Sequence, residues 1–212
     1  MKTNVKKIVL VGKSNKFLGL VNFLFDGAEL ITVPWRDCLD YVSLTEGISP
    51  DLIVVCGYDY ASSHYGYNRY IEVNVTRPFQ LIRALSQAST KIVYIDTEHG
   101  TNPVTFSRYQ YAKSLLAQKV LSEFDNGRVL NIPTVRDVEG RADIHGGYFT
   151  KFIFDLFIKF GLVKTVSLEV MQKMFLCSLE SKSQSRLNTL TPCFLGIRRK
   201  LFVDRLLRFI SG

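Results

Sequence analysis

The chain has 212 residues, of which 47% are hydrophobic, 12% aromatic and 22% charged. This composition is typical of a globular protein and excludes disordered, collagen-like and low-complexity chains. No apolar run reaches the ~20 residues that a membrane span requires. The N-terminus leads into a short strand without a small-residue cleavage site, so we expect no signal peptide and a cytoplasmic location.

The net charge of +8 is concentrated in the last third of the chain. Residues 1–140 contain 15 Lys and Arg against 14 Asp and Glu, whereas residues 141–212 contain 12 against 5. A basic region can contact acidic lipids, phosphate-bearing molecules or nucleic acid, although it is more commonly a solvated surface. No nucleic-acid-binding module is recognisable, so we expect no nucleic-acid partner.

The cysteines and histidines form no metal-ligand or disulfide pattern. The four cysteines lie far apart and include no Cys-x-x-Cys pair, and the three histidines share no ligand spacing. A disulfide framework and a structural zinc site both require such spacings. We therefore expect free thiols and no metal site.

Strand-like and helix-like segments alternate through the first 140 residues. Short runs rich in Val and Ile, apolar on both faces, predict parallel strands over 7–12, 30–33, 51–57, 91–95 and 128–132. Helical spacing of apolar residues predicts helices over 17–25, 69–88 and 109–124. This order predicts a doubly wound parallel α/β sheet, with a Rossmann-like domain at residues 1–140.

Residues 141–212 predict a smaller, mostly helical region that contacts a substrate or a partner. Lys151, Asp155 and Lys159 are four residues apart within the otherwise apolar segment 147–163. This spacing predicts a buried helix with one exposed edge. Segment 178–192 is rich in Ser, Thr and Asn and predicts a loop or linker.

The tail, residues 194–210, carries five basic residues among Leu, Ile and Phe. Such a segment either lies peripherally on an acidic membrane surface or against a partner protein, or docks as a terminal helix on its own domain or on a second subunit. We favour docking.

Two strand ends carry candidate ligand-binding residues, because open α/β sheets bind ligands at the carboxyl ends of their strands. Gly12 and Gly19 flank the first strand-to-helix turn, which either brings backbone N–H groups to a diphosphate or is only a tight turn. After the second strand, the planar guanidinium of Arg36 favours the 2′-phosphate of NADP over NAD. Trp35 either covers an adenine or packs in the core.

Tyr109 and Lys113 are four residues apart in a predicted helix and therefore share one of its faces. A nearby ammonium lowers the pKa of a phenol, which lets a tyrosine exchange a proton with a carbonyl or an alcohol near neutral pH. Thr97 lies at the end of the preceding strand, where its hydroxyl can hold the same substrate oxygen. These three are the candidate catalytic residues.

At this point the sequence resembles the short-chain dehydrogenase/reductase superfamily, of the NAD-dependent epimerase/dehydratase type, and in particular the dTDP-4-dehydrorhamnose reductases. The resemblance covers roughly residues 5–140, and the C-terminal region is shorter than that of the family. The segments that carry it are Phe17-Leu18-Gly19, 35–40, 50–58, Asn74-Val75, 95–98, Tyr109-x-x-x-Lys113 and 130–135.

The resemblance implies an NADPH-dependent reductase, or an epimerase-like enzyme, acting on a keto group of a nucleotide-activated sugar in surface polysaccharide or deoxysugar biosynthesis. It implies that Tyr109 donates the proton, Lys113 holds the ribose and Thr97 orients the carbonyl. It implies a homodimer as well. The implied cofactor-binding residues for NADP(H), with NAD(H) as the alternative, are Gly12, Phe17, Leu18, Arg36, Asp40, Tyr41, Tyr58, Asn74 and Lys113.

The sequence also departs from the family pattern. The first turn lacks the middle glycine, with Lys16 near its place, and Asp96 and Glu98 replace the usual serine and aspartate on either side of Thr97. A non-catalytic binding or regulatory protein can use the same fold, because a fold alone does not establish an activity. That protein is the alternative to the enzyme.

Overall fold

The computed structural model describes residues 5–12, 14–36, 38–41, 47–97, 108–136, 148–160, 163 and 165–180. Within them a five-stranded sheet has the order β2-β1-β3-β4-β5, and all neighbouring strands are parallel. The strands are β1 (Lys7–Val11), β2 (Glu29–Val33), β3 (Leu52–Val55), β4 (Lys91–Thr97) and β5 (Gly127–Ile132). The predicted doubly wound, Rossmann-like α/β fold is confirmed.

The described residues also contain six α-helices. They are α1 (Asn15–Leu24), α2 (Tyr67–Ile71), α3 (Arg77–Leu85), α4 (Arg108–Glu123), α5 (Tyr148–Lys159) and α6 (Leu168–Glu180). A π-helical segment, Glu72–Thr76, joins α2 to α3, and 3-10 turns span Cys38–Tyr41 and Tyr60–His64. Two short strands, β6 (Thr134–Val135) and β7 (Thr165–Val166), form a separate parallel pair.

The core has two layers, one on each face of the sheet. Successive strand residues point to opposite faces, so strands covered on both sides must be apolar at every position; all four residues of β3 are buried. One layer packs against α3 and α4 and includes Val9, Ile53, Leu81, Ile92, Leu116 and Val120. The other packs against α1 and α6 and includes Ile8, Leu20, Val54, Val93, Met171 and Phe175.

The helix predicted over 69–88 consists of two α-helices with a π-helical segment between them. Pro78 stands at the start of α3. Proline has no N–H to donate to the carbonyl four residues earlier, which here belongs to Asn74. The regular α-helical pattern is therefore interrupted at this point, and wider turns of this kind are frequent at functional sites.

Helix α6 is not among the predicted elements, although it completes one layer of the core. Met171, Phe175 and Leu179 of this helix belong to one core cluster with residues of β1, β3, β4 and β5. Its last three residues, 178–180, were expected in a loop; residues 181–192 of that loop lie outside the described part of the chain. The domain boundary at residue 140 remains a prediction.

The prediction that segment 147–163 is a buried helix with one exposed edge is wrong. Helix α5 forms there, but Phe152 is 54% exposed and Phe160 71% exposed, and Leu156 and Phe157 are exposed as well. Asp155 and Lys159 are exposed as the pattern predicted. The apolar residues occur on several sides of the helix, so a single packing partner cannot cover all of them.

Among the described helices, none is long and apolar enough to cross a membrane. The basic tail, residues 194–210, lies outside the described residues.

Substitution of Gly12 should cost more stability than substitution of Gly27, another glycine with a positive φ. Gly12 has a φ of +107°, and a Cβ there would lie 2.5 Å from the backbone of Gly57. Gly27 has a φ of +81°, but its Cβ would enter open space. We expect Gly27→Ala to lose about 1–2 kcal/mol and Gly12→Ala to lose clearly more in urea denaturation.

Gly19 provides the matched control, since it lies inside α1 and a Cβ there meets nothing within 4 Å. Gly19→Ala should leave stability unchanged or raise it by about 0.5–1 kcal/mol. Equal losses for the Gly12 and Gly27 variants would contradict the close approach of Gly12 to Gly57.

Candidate active site at the carboxyl edge of the sheet

The turn after β1 offers backbone N–H groups at the topological switch point of the sheet. From β1 the chain proceeds to β2 on one side of the sheet, and from β3 it proceeds to β4 and β5 on the other side. The switch point lies between β1 and β3, and open sheets bind ligands at this position. Helix α1 begins at Asn15, and its N-cap, Ser14, makes no side-chain capping hydrogen bond. No acidic residue stands in the first turn. The N-terminus of α1 is therefore electropositive and suited to an anion.

Phe17 and Leu18 contribute to this turn through their backbone. Their half-buried side chains pack against the core layer beneath α1. The N–H of Leu18 donates to the carbonyl of Ser14, in the first turn of the helix. Lys13 lies outside the described residues.

The ends of β1 and β3 approach each other through two glycines. A Cβ on Gly57 would lie 2.2 Å from the indole of Trp35, and one on Gly12 would meet the backbone of Gly57. Trp35 is buried and belongs to the core layer beneath α3 and α4. Of the two sequence interpretations of Trp35, packing in the core is therefore the one that the structure supports.

Arg36 forms an ion pair with a buried carboxylate. Its guanidinium lies 2.7 Å from Oδ1 of Asp59, and the side chains are 60% and 1% exposed respectively. The same carboxylate oxygen accepts from the backbone N–H of Ala61. Asp59 caps the 3-10 turn Tyr60–His64, so the ion pair ties the end of β2 to the segment after β3.

Asn74 supports the same segment from below. Its amide oxygen accepts from the N–H of Asp59, and its amide nitrogen donates to Ser62 Oγ and to the carbonyl of Tyr70. The side chain is buried within the π-helical segment. The residue holds the loop in place; direct contact of Asn74 with a cofactor remains a prediction.

Three tyrosines form an aromatic cluster over the N-terminal turn of α4. The ring of Tyr109 meets that of Tyr58 edge-on, with centroids 4.7 Å apart. It stacks against Tyr60 with centroids 6.1 Å apart and an angle of 17° between the planes. Tyr109 is half-buried and Tyr60 is 55% exposed. The Tyr109 ring is therefore fixed by the rings of Tyr58 and Tyr60 and stays partly accessible to solvent.

Two further tyrosine contacts attach α4 to α2. The hydroxyl of Tyr70 donates to the carbonyl of Arg108, and the hydroxyls of Tyr67 and Tyr111 lie 3.3 Å apart. Burial raises the pKa of Tyr70, and the neighbouring hydroxyl of Tyr58 raises it further. Tyr70 therefore stays a protonated donor at neutral pH.

Lys113 is a buried lysine, with 5% of its surface exposed. Its ammonium donates to the carbonyl of Ile95 at 2.6 Å and lies 4.7 Å from the centre of the Tyr94 ring. Burial lowers the pKa of Lys113, and the negative charge of Asp96 partly counteracts that effect. Helix α4 thus anchors its lysine to the end of β4, directly beside the residues that precede Thr97.

Cys56 is held as a neutral thiol. Burial raises its pKa to about 12, against a smaller lowering by Lys113. Its sulfur lies 3.7 Å from the carbonyl oxygen of Gly12. A thiol is a weak nucleophile compared with a thiolate, so this position supports packing and not covalent catalysis.

The structure brings most of the sequence-predicted site residues to one edge of the sheet. Gly12, Tyr58, Tyr109 and Lys113 are linked through the segment 56–60. Asp40 is exposed in the 3-10 turn after β2. Tyr41 ends that turn and Thr97 ends β4, opposite Ile132; their side chains lie outside the description.

Sequence reasoning missed Asp59 and Tyr60. Asp59 precedes Tyr60-Ala61-Ser62, and an aspartate before a turn is a typical cap. That signal was present in the sequence, whereas its ion pair with Arg36, 23 residues earlier, depends on the tertiary fold. The described residues contain no group of three His, Cys, Asp or Glu side chains that could hold a metal ion.

The buried Lys113 should make stability depend on pH. Because its pKa is lower in the folded chain than the ordinary 10.5, the unfolded chain binds more protons between those two values. The contribution of Lys113 to the free energy of unfolding therefore rises with pH there, by at most about 1.4 kcal/mol per pH unit. We expect wild type to gain stability relative to Lys113→Met as the pH is raised from neutral toward 10.5, measured by urea denaturation.

Lys113→Gln tests the same dependence with a side chain that keeps a hydrogen-bond donor. It should lose the pH-dependent part of the stability in the same way as Lys113→Met. A difference from wild type that stays constant across the pH range would contradict a lowered pKa for Lys113.

Comparison with known proteins gives structural similarity without sequence similarity. No protein-family model and no curated protein matches the chain. The dTDP-4-dehydrorhamnose reductase of Clostridium acetobutylicum superimposes with a TM-score of 0.59 at 15% identity, over 83% of this chain and 71% of that chain. The enzyme of that name from Bacillus anthracis, in complex with NADP, gives 0.58 at 13% identity, over 86% and 73%.

A third similar structure is WbmG of Bordetella bronchiseptica in complex with NAD, with a TM-score of 0.58 at 14% identity, over 85% of this chain and 70% of that chain. The resemblance read from the sequence motifs is thus found again among the solved structures. At these identities the similarity concerns the fold, and the chain has the Rossmann-like α/β fold of these enzymes.

Proposed function

We propose that this protein is a short-chain dehydrogenase/reductase-type enzyme that uses NADPH to reduce a keto group of a nucleotide-activated sugar. A related epimerase-like reaction on the same class of substrate uses the same residues. The observation that carries the proposal is the position of Tyr109 and Lys113 on one face of α4, beside the carboxyl end of β4. The lysine is anchored there by Ile95, and the tyrosine is held at the surface of an aromatic cluster.

The residues at the switch point fit a dinucleotide. The N-terminus of α1 has no side-chain cap and no acidic residue in its first turn, and a helix N-terminus of this kind favours an anion such as a diphosphate. Gly12 and Gly57 keep the backbone at this edge free of side chains. In this proposal, Gly12 and the backbone of Phe17 and Leu18 face the diphosphate.

The remaining cofactor contacts follow the sequence motifs. Arg36 would bind the 2′-phosphate of NADP, with NAD as the alternative cofactor. Asp40, Tyr41 and Tyr58 would border the adenine or ribose, and Asn74 would support them. Arg36 already has a carboxylate partner in Asp59, and a guanidinium carries five N–H donors, so one partner does not exhaust its capacity to bind phosphate.

The chemistry divides between the cofactor and the chain. When bound, a reduced nicotinamide supplies the hydride for a carbonyl carbon. Tyr109 donates the phenolic proton to the carbonyl oxygen, which completes the alcohol. Lys113 holds a ribose hydroxyl and favours the ionised phenol that remains, because opposite charges attract strongly in a partly buried site. Thr97 holds the carbonyl oxygen during this transfer.

A specific observation favours a second candidate, a non-catalytic binding or regulatory protein with the same fold. The ammonium of Lys113 donates to the Ile95 carbonyl and lies on the Tyr94 ring, in a position that is 95% buried. In this second role the lysine is a structural anchor for α4, and the aromatic cluster is packing. Cofactor binding separates the two candidates.

The proposed function also includes an oligomeric state, a location and a biosynthetic role. A homodimer, a cytoplasmic location and a role in surface polysaccharide or deoxysugar biosynthesis follow from the resemblance. Residues 141–212 would form the reduced substrate or partner region next to a cofactor domain at 1–140. The basic tail would dock on the protein itself, and attachment to a membrane surface or a partner is its alternative.

Cofactor titration tests the adenosine end of the site. We expect NADPH to bind more tightly than NADH, and Arg36→Ala to weaken NADPH about 10–100-fold, as for the loss of a charge-assisted hydrogen bond of about 1.5–3 kcal/mol. NADH affinity should change less. Calorimetry with both cofactors measures this.

Arg36→Ala leaves the buried carboxylate of Asp59 without its ion pair, which can itself destabilise the protein, so a control is needed. In the double variant Arg36→Ala/Asp59→Asn that charge is also removed, so a shared loss of NADPH affinity comes from the guanidinium and not from unfolding. Absence of binding of either cofactor to wild type at millimolar concentration would favour the non-catalytic candidate.

Turnover tests the proton donor. Tyr109→Phe should lower kcat at least about 100-fold on a keto-sugar nucleotide, because general acid catalysis contributes about 10²–10⁴ in rate. Cofactor affinity should stay within a few fold. Tyr111→Phe, two residues along α4 and with its hydroxyl beside Tyr67, is the matched control and should keep most of the activity. Equal rates for the two variants would remove Tyr109 from the reaction.

A further inference from the structure

A cavity with a volume of about 560 Å³ lies between the end of β2 and the helical run from α2 to α3. Three arginines line it, Arg36, Arg69 and Arg77, together with Tyr65, Asn68 and Glu72. None of the residues that line it belongs to the β1–α1 turn or to the Tyr109–Lys113 pair. The cavity shares Arg36 with the site described above, and its other lining residues lie outside that site.

The helical run presents two of the arginines to this cavity at regular spacing. Arg69, Val73 and Arg77 are four residues apart, and all three line the cavity. Residues at this spacing share one helix face. The third arginine, Arg36, directly follows Trp35 after β2 and lines the cavity from outside this helical run. The fold thus brings together guanidinium groups from two distant parts of the chain.

Each guanidinium is already oriented by a neighbour. Arg69 lies over the ring of Tyr65, 4.8 Å from its centre. Nε of Arg77 lies 3.2 Å from a carboxylate oxygen of Glu72. Arg36 is paired with the buried Asp59. Because these contacts restrict the side chains before any ligand arrives, binding an anion costs less side-chain entropy.

Charge and donor geometry indicate the kind of anion. Among the described residues, three guanidiniums and one carboxylate, that of Glu72, line the cavity, and Arg36 is also paired with Asp59; the described lining therefore keeps a positive excess. Like charges gathered at one cavity repel one another, and an anion between them relieves that repulsion. A guanidinium presents its N–H donors in a planar fork that matches phosphate oxygens in pairs.

We propose that this cavity binds a phosphate monoester group through Arg69 and Arg77, with Arg36 closing it from the side of β2. The phosphate can come from two sources. One is the 2′-phosphate of a dinucleotide that extends from the α1 turn past Arg36; the other is a separate phosphorylated small molecule. The proposal concerns binding, and it does not depend on a reaction at Tyr109.

Calorimetry at neutral pH with three probes tests it: inorganic phosphate, adenosine 2′-monophosphate and adenosine 5′-monophosphate. We expect at least one of them to bind the full chain, and Arg69→Gln/Arg77→Gln to weaken that binding at least about tenfold. Preference for the 2′-monophosphate over the other two supports the dinucleotide source. Comparable binding of all three, or preference for inorganic phosphate, supports a separate phosphorylated molecule.

The matched control is Arg83→Gln, an exposed arginine on α3 that does not line the cavity. It should bind the probes like wild type. The single variants Arg69→Gln and Arg77→Gln serve if the double variant fails to fold, and each should show a smaller loss. Absence of binding by wild type, or equal binding by wild type and the arginine variants, overturns the proposal.

Failure of this proposal is distinguishable from failure of the proposed enzyme function. Tyr109→Phe removes the proposed proton donor and leaves all cavity residues in place, so it should bind the phosphate probes like wild type. Loss of turnover without loss of phosphate binding, or the reverse, assigns the result to one proposal or the other.

Discussion

The contact of Gly12 with Gly57 determines the shape of the carboxyl edge. With no side chain on either residue, the ends of β1 and β3 meet backbone to backbone, and the Trp35 indole lies flat against the second glycine. Because Gly57 lies within segment 56–60, this contact fixes the path of that segment. It carries Cys56 beneath the turn, Tyr58 against Tyr109 and Asp59 against Arg36. One backbone contact therefore coordinates groups from β2, β3 and α4.

Strand positions were predictable because burial on both faces requires apolar residues in succession: β3 consists of Leu, Ile and Val alone, and its neighbours β1 and β4 contain runs of Ile, Val and Leu. The spacing of Tyr109 and Lys113 was equally visible, because helical periodicity is local. The acceptor of the Lys113 ammonium was not, since Ile95 offers only a backbone carbonyl and any residue has one. The Arg36–Asp59 ion pair was also not predictable, because tertiary packing decides which of many carboxylates an arginine meets.

Helix α5 shows the opposite error: an apolar composition suggested burial where the structure leaves large aromatic side chains in solvent.

Charge is distributed unevenly between the inside and the outside of the site. Lys113 and Asp96 are both buried, and the negative charge of Asp96 favours the charged form of Lys113. The arginines of the cavity stay nearer to solvent, held by Tyr65, Glu72 and Asp59. Buried charges respond little to salt, while exposed ones are screened within about 10 Å at 0.1 M ionic strength. Added salt should therefore weaken anion binding at the arginines at concentrations that leave the contact of Lys113 with Ile95 unchanged.

Trp35 is the one tryptophan in the sequence, and the fold places it at this edge, against Gly57 and directly before Arg36. The intrinsic fluorescence of the protein consequently comes from a single known position. An emission change on adding a nucleotide or an inorganic anion reports an event beside the β1 and β3 ends without any attached dye. The same signal also records exposure of the indole on unfolding, so the protein carries its own optical reporter for ligand occupancy and for the integrity of the switch point.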